Sequence, residues 1–165
     1  MEIRLLGKDN LEKYKILRLH ALSNNPEAFG SSYEEEVNFS NEKMLSKIIG
    51  ENIRAFGAFD GEKLIGVVSM LFQKREKMKH RADIYGMYVE PYIRNMGIGR
   101  HLMIKTIKCA KKNPYIKQIY LTVVSNNTYA KKLYNSMGFE IYGVDKKAIK
   151  VGNEYYDEDL MVLYL

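Results

Sequence analysis

The sequence has few of the residues that would tie a protein to an oxidising compartment or to a membrane. Cys109 is the single cysteine among 165 residues, which excludes an internal disulfide framework. The charged N-terminal residues are not followed by the apolar segment of a signal peptide. The longest apolar run, Leu64 to Phe72, is far shorter than the roughly 20 residues of a membrane helix. We therefore expect a cytoplasmic protein that does not associate with membranes.

Metal and mononucleotide motifs are missing as well. The three histidines lack the spacing of metal ligands, so we expect no metal. A dinucleotide fingerprint would need glycine at Leu102, and the Gly-Lys-Ser/Thr of a phosphate loop is absent. The net charge of +6 suits an anionic small ligand as well as nucleic acid. Because the basic run at 74–81 lacks interleaved aromatics, we interpret it as a charged hairpin loop and expect no nucleic-acid partner.

Hydrophobic periodicity predicts one α+β domain that spans residues 1–165. Apolar residues make up 46% of the chain, which is enough for one sizeable core. Helical spacing predicts helices at 11–22, 41–49, 98–112 and 127–137, with a loop or irregular helix at 25–36. Alternating or continuous apolar residues predict strands at 3–6, 54–59, 64–72, 82–89, 118–124, 139–144 and 155–165. These elements predict a central mixed sheet of about six to seven strands with about four helices.

The segment Tyr92–Met103 places two glycines and two arginines at the start of a predicted helix, directly after a strand. The backbone N–H groups of residues 96–100 would point into one concavity, which is a geometry that binds phosphate. The two arginines would add positive charge, and side chains at Gly97 and Gly99 would hold phosphates away from the amides. A helix start that happens to contain glycines is the alternative interpretation.

A second motif about 30 residues later favours the phosphate-binding interpretation of the first. It has the form N-x-x-A-x-x-L-Y-x-x-x-G-F, whereas the first has the form V-E-P-x-x-R-x-x-G-x-G. The matching residues are Val89, Glu90, Pro91, Arg94, Gly97 and Gly99, and then Asn127, Ala130, Leu133, Tyr134, Gly138 and Phe139. With the helix and strand between them, the two motifs resemble the GNAT superfamily of acyl-CoA-dependent N-acetyltransferases. The resemblance implies a GNAT-like, mostly antiparallel sheet and acetyl-CoA as the co-substrate.

The resemblance also implies which residues contact the cofactor. The amides of the loop would hold the pyrophosphate, with Arg94 opening that loop; they belong to Asn95, Met96, Gly97, Ile98, Gly99 and Arg100. The backbone of Met87 and Val89 would bind the pantetheine arm. Gly86 is compatible with the bulge at which this strand separates from its neighbour in the family, or with mere packing tolerance. Asn127 would contact the cofactor, cap a helix, or do both.

For catalysis, the resemblance assigns Tyr134 as the general acid. A phenol with a pKa near 10 stays protonated at neutral pH and can donate to a leaving thiolate whose conjugate acid has a pKa near 8.5. A core aromatic of an amphipathic helix is the alternative. Asp83 occupies the position of the base glutamate in histone-acetylating members, where a water relay would bridge the shorter side chain; an ordinary strand-end charge is its alternative. Glu34 and Glu35 are further candidates.

The acceptor is the least specified part of the prediction. In the family, segments equivalent to 25–36 and 146–157 shape that pocket, and here their aromatics and carboxylates could attract a cationic amine. We predict transfer of acetyl to a primary amine of a small molecule or amino acid, by direct attack in a ternary complex of a monomer or homodimer. The alternatives are a protein N-terminal or lysine acetyltransferase, a non-catalytic CoA-binding sensor and, as a third class, a basic nucleic-acid-binding domain.

Overall fold

The computed structural model describes residues 1–165 and contains eight strands and five α-helices. In chain order they are β1 (Glu2–Leu5), α1 (Leu11–Asn24), α2 (Tyr33–Glu36), α3 (Asn41–Leu45), β2 (Ile49–Gly50), β3 (Ile53–Asp60), β4 (Lys63–Phe72), β5 (Arg81–Val89), α4 (Ile98–Lys111), β6 (Gln118–Val124), α5 (Thr128–Ser136), β7 (Glu140–Val151) and β8 (Glu154–Tyr164). This confirms the predicted α+β class.

The strands form one open sheet with the order β1-β3-β4-β5-β6-β8-β7, and the short β2 pairs with β3. All neighbours are antiparallel except β5 and β6, which are parallel. The predicted mixed and mostly antiparallel sheet is therefore confirmed. The parallel pair lies in the middle, where the chain crosses from β5 to β6 through α4.

Two local features of β5 open the centre of the sheet. Tyr85 pairs with Ser69 and Tyr88 with Val67, so β5 carries one extra residue at this point and forms a bulge. Gly86 lies in that bulge with a φ of 62°, a left-handed conformation that glycine adopts without steric cost. The parallel pairing of β5 with β6 covers only Arg81 to Asp83, and beyond it the two strands separate. Of the two alternatives for Gly86, the bulge is the one that the structure contains.

The two faces of the sheet bury separate hydrophobic clusters. One cluster lies between the sheet and the helices α4 and α5; its fully buried members include Val68, Met70, Leu102, Met103, Ile119 and Met161. The other lies under α1 and α3, and includes Leu17, Met44, Ile48, Phe59 and Val67. The helices α1, α3, α4 and α5 therefore pack apolar side chains against the sheet. The opening between β5 and β6 connects the two faces of the sheet.

Several element boundaries differ from the prediction. The helix predicted at 41–49 ends at Leu45, because the last turns tighten and Ile49 leaves to pair with Arg54 of β3. The predicted irregular segment at 25–36 contains the short α2, which is capped by Ser32. The strand predicted at 139–144 continues to Val151, because residues beyond a bulge regain pairing with β8. Tertiary pairing decides all three cases.

A buried charge cluster joins α1, α2 and the turn that follows α3. Glu36 is fully buried, and its oxygens accept hydrogen bonds from Arg18 Nε at 3.0 Å, Arg18 Nη2 at 2.7 Å and Lys47 Nζ at 2.9 Å. Burial alone would raise the pKa of Glu36, but the hydrogen bonds from both cations outweigh it and lower the pKa to about 2. The carboxylate is therefore charged at neutral pH.

We expect Glu36→Gln to lower the free energy of unfolding at pH 7 by about 3 to 5 kcal/mol, because the change leaves Arg18 and Lys47 without their buried partner. Since the folded pKa of Glu36 lies at about 2, below the ordinary 4.5, its stabilisation is complete above pH 4.5 and is lost as the pH falls towards 2. Denaturant unfolding at several pH values should therefore show a difference between wild type and variant that shrinks in acid.

Glu34→Gln is the matched control for this substitution, because Glu34 lies on the same short helix but is exposed. A Glu34→Gln effect as large as that of Glu36→Gln, or a difference that does not change with pH, would contradict the role of the buried cluster.

Candidate active site

A cleft of about 840 Å³ follows the opening between β5 and β6. Its walls are the separated ends of these strands, the loop before α4, the N-terminal part of α5, and residues of α1 and of the segment after it. The cleft therefore reaches both faces of the sheet, which permits two molecules to approach one point from opposite sides.

The loop between β5 and α4 offers a series of unpaired backbone donors. The amides from Asn95 to Arg100 donate to no acceptor within the protein, whereas the amide of His101 already bonds to the carbonyl of Gly97. Asn95 and Gly97 have positive φ angles of 65° and 77°, which turn the chain sharply before Ile98 begins the helix. Such a series of amides at a helix N-terminus is suited to phosphate oxygens.

Within the protein the two glycines are needed for different reasons. These reasons are separate from the room for phosphates that the sequence suggested. A Cβ on Gly97 would come no closer than 3.7 Å to the imidazole of His101, so its left-handed backbone explains the glycine. A Cβ on Gly99 would lie 2.9 Å from Cε of Met87 and 3.4 Å from Leu133. Gly99 thus lets the start of α4 pack closely against β5 and α5.

The two arginines of the loop already have protein partners. Arg94 donates from Nε to the carbonyl of Val89 at 2.8 Å and from Nη2 to Asn25 Oδ1 at 2.9 Å. Arg100 donates to the hydroxyl of Ser136 at 3.1 Å. Both arginines line the cleft and remain exposed, so they hold the loop in place while adding positive charge beside its free amides.

Tyr134 lies on α5 with its hydroxyl at the strand opening. The ring is buried, contacts Phe139 and is 7% exposed, and its hydroxyl has one weak partner, Met87 Sδ at 3.5 Å. Burial raises the pKa of Tyr134 to about 12, so the phenol is protonated at neutral pH. Its proton is not committed to a strong acceptor and is available to a group in the cleft.

Asn127 caps α5 and lines the cleft at the same time. Its Oδ1 accepts a hydrogen bond from the amide of Ala130 at 3.1 Å, as expected of an N-cap residue. The side-chain Nδ2 has no hydrogen-bond partner within the protein. The capping alternative is therefore present, and it leaves one donor free on the cleft side.

Asp83 lies at the closed end of the strand opening, where β5 still pairs with β6. Its carboxylate accepts a hydrogen bond from the side-chain amide of Gln73 and does not line the cleft. Met87 and Val89, by contrast, belong to the part of β5 that has separated from β6, and both line the cleft. Of the residues predicted for the site, Asp83 and Met96 do not line the cleft, and Met96 contributes only a free backbone amide to the loop.

A different carboxylate, Glu158 on β8, lines the cleft. It is half-buried and accepts a hydrogen bond from Thr122 at 3.4 Å. Burial raises the pKa of Glu158; the hydrogen bond from Thr122 lowers it, and the charge of Asp145 raises it further. The sequence analysis missed this residue, because β8 reaches the site only through its pairing with β6. Glu158 lies within a run of three acidic residues, 157–159, and nothing local to that run distinguishes it from its neighbours.

Two cations, Arg18 and Lys47, were missed as well, and both line the cleft on the side of the sheet opposite α4. Of the acidic and aromatic residues expected there, Phe29 lines the cleft and the others do not. Glu34 is exposed, Glu35 closes the cap of α2, and Asp157 pairs with Lys146; neither they nor Tyr155 and Tyr156 line the cleft. The acceptor side is therefore less acidic than the sequence indicated.

Two further observations concern features outside the cleft. No group of three or more His, Cys, Asp or Glu side chains is placed so that it could hold a metal ion. Among the helices, none combines the length and the apolar character that crossing a bilayer would require.

An open mixed sheet that separates at a bulged central strand, beside a phosphate-type loop, is the architecture of a CoA-dependent acyltransferase. The family profile described as "Acetyltransferase (GNAT) domain" matches residues 3–160. The chain therefore belongs to the GNAT acetyltransferase family, as the two motifs predicted. Members of this family are acyltransferases that use acetyl-CoA.

Two curated proteins are similar to part of the chain. The L-amino acid N-acetyltransferase AaaT of Escherichia coli is 34% identical over 98 residues, which cover 59% of this chain and 59% of AaaT. The acetyltransferase PseH of Campylobacter jejuni is 29% identical over 115 residues, covering 69% of this chain and 66% of PseH. The chain thus spans about three fifths of the length of AaaT.

Solved structures match over nearly the whole chain. A GNAT-family acetyltransferase from Streptococcus pneumoniae has a TM-score of 0.87 at 20% identity, covering 99% of both chains. The acetyltransferase yncA of Salmonella typhimurium, solved with acetyl-CoA, has a TM-score of 0.83 at 17% identity, covering 99% of this chain and 93% of yncA. At these identities the likeness establishes the fold.

Proposed function

We propose that residues 1–165 act as one domain that transfers an acetyl group from acetyl-CoA to the primary amine of a small molecule, with amino acids as the favoured class. The observation that carries the proposal is the position of the Tyr134 hydroxyl, at the opening that joins the amide-lined loop to the opposite face of the sheet. A cytoplasmic location and a monomeric or homodimeric state stay predictions.

The cofactor would occupy the side of the cleft that belongs to α4. The free amides from Asn95 to Arg100 would bind the pyrophosphate, and the edge of β5 that faces away from β4, at Met87 and Val89, would bind the pantetheine arm. Because Arg94 already occupies one lone pair of the Val89 carbonyl, the amide of Val89 is the better candidate for a pantetheine contact. The free Nδ2 of Asn127 adds a further donor.

The reaction would take place at the strand opening. The amine attacks the thioester carbon, the carbon–sulfur bond breaks, and the leaving sulfur takes the proton of the Tyr134 hydroxyl. The ammonium of the acceptor must first lose a proton, and Glu158 is the carboxylate in the cleft that can accept it directly or through water. Asp83, the base proposed from the sequence, would need a longer relay because it does not line the cleft.

The main test of the function is thiol release from acetyl-CoA with a panel of amines, followed by mass spectrometry of the product. The panel includes amino acids, polyamines and peptide N-termini. Acetylation of the small molecules would support a small-molecule acceptor, and acetylation of the peptide N-termini would support protein acetylation. Tight CoA binding without transfer to any amine would instead support the sensor function.

Tyr134→Phe should lower kcat by about 100-fold, because the leaving thiolate loses its proton donor, while the Kd for CoA changes little. The phenol lacks a strong partner in the protein, so its removal leaves no buried acceptor unpaired. Steady-state kinetics with calorimetry of CoA binding measures both values. Tyr115→Phe is the control, because this tyrosine is exposed and lies outside the cleft, and an unchanged kcat for Tyr134→Phe would remove the general-acid role.

Gly97→Ala should raise the Kd for CoA by about 10-fold, because alanine resists a φ of 77° by roughly 1 to 2 kcal/mol and would turn the free amides away from the phosphates. Gly61→Ala, in the β3–β4 hairpin with a φ of 55°, is the matched control for backbone strain. Both variants should unfold at lower denaturant concentration, and equal CoA affinities would contradict the amide site.

Glu158→Gln should lower kcat by about 100-fold and remove the acidic limb of its pH profile. Because the pKa of Glu158 is raised, the protonated and inactive form persists above pH 4.5, so wild-type activity should rise with pH above that value. Glu154→Gln, on the same strand but exposed, is the control, and Asp83→Asn is the competing variant. Loss of the limb in Asp83→Asn alone would assign the base to Asp83.

A further inference from the structure

We propose that the acceptor side of the cleft binds the carboxylate of an amino acid through Arg18 and Lys47. This inference rests on the proposed acetyl transfer and specifies the class of amine: a zwitterion with a free carboxylate, as opposed to a polyamine or a peptide N-terminus.

The first argument is the charge of this wall. Arg18 and Lys47 both line the cleft, and both bond to Glu36, which lies behind them and is fully buried. One carboxylate therefore faces two cations, and the cluster keeps one net positive charge. Because Glu36 has no access to solvent, that surplus charge is presented to the cleft. An anionic group of a ligand would neutralise this remaining positive charge.

The second argument is the orientation of Arg18. Its Nε and Nη2 donate to the two oxygens of Glu36 at 3.0 Å and 2.7 Å, so the plane of the guanidinium group is fixed. The ring of Phe29, 4.6 Å from Cζ, covers one face of that plane. Nη1 has no hydrogen-bond partner in the protein, although the residue is only 7% exposed. A donor held in this way loses little conformational entropy when it binds a carboxylate.

The third argument is the position of the opposite charge. Glu158 lines the same cleft but comes from β8, on the other side of the strand opening from α1 and from Lys47. A zwitterion could direct its ammonium group towards Glu158 and its carboxylate towards Arg18. A polyamine would bring a second cation to Arg18 and Lys47, and a peptide N-terminus has an amide where an amino acid has its carboxylate. The arrangement therefore selects against both.

Matched acceptor pairs test the subsite. L-leucine, L-serine and L-phenylalanine are each compared with their carboxamides, using thiol release at saturating acetyl-CoA and calorimetric binding to the CoA-loaded protein. We expect kcat/KM for the acid to exceed that for the amide by roughly 10-fold or more with at least one pair, through a lower KM. The amine of the amide is the weaker base and is less protonated, so this preference could not arise from amine ionisation.

Two variants assign the preference to the residues. Lys47→Met leaves Glu36 paired with Arg18, and Arg18→Lys keeps a cation beside Glu36 while removing Nη1, so each retains a partner for the buried carboxylate. Each should raise KM for the preferred acid by roughly 10-fold and change KM for the amide by less than about 2-fold. Lys43→Met is the matched control, because Lys43 and Lys47 both lie over the ring of Phe39, yet Lys43 does not line the cleft.

The outcomes separate the subsite from the reaction. Equal use of acid and amide, equal losses for both in the variants, or preferred acetylation of amines without a carboxylate would overturn the subsite while leaving acetyl transfer intact. If no amine is acetylated, the transfer proposal fails, and calorimetry still decides the subsite: binding of the acids but not the amides supports it, and the absence of binding overturns it.

Discussion

The separation of β5 from β6 is the constraint on which the rest of this structure depends. Parallel pairing ends after Asp83, and the bulge at Gly86 bends β5 away while keeping its other edge bonded to β4. The edges that face each other therefore carry backbone groups without strand partners, which a ligand with amide groups can satisfy. The same gap joins the two faces of a sheet that otherwise divides the protein into separate cores.

The two sides of the gap differ in the way they present positive charge. On the α4 side the donors are backbone amides at a helix start, supported by arginines whose own hydrogen bonds hold the loop. On the α1 side they are the side chains of Arg18 and Lys47, held by the buried Glu36. Tyr134 lies between these regions in an apolar environment that keeps its phenol protonated. The proposed chemistry requires this division, because the pyrophosphate is held at one end of the cleft and the acceptor at the other. The thioester then lies between them, beside Tyr134.

The local parts of this arrangement could be predicted from the sequence. Periodicity identified the main helices and strands, and the two motifs identified the loop before α4 and the position of Tyr134. The prediction was less successful where long-range contacts override local pattern. Ile49 continues a helical pattern yet pairs with β3. Glu36 belongs to a run of three glutamates typical of a solvent-exposed surface, yet Glu36 itself is buried between two cations. Nothing in their neighbours along the chain distinguishes these residues.

The sequence by itself determined the α+β class, the family, and the segment that begins α4, because these depend on side-chain period and on glycines within a few residues of one another. Only the tertiary structure decided which carboxylates reach the cleft. Glu158 lines it and Asp83 does not, since β8 is brought beside β6 by pairing across more than thirty residues of chain, as in Val124 with Glu158. The partners of Arg18 were decided in the same way, because burial of a charge depends on the elements packed around it and not on its neighbours in the sequence.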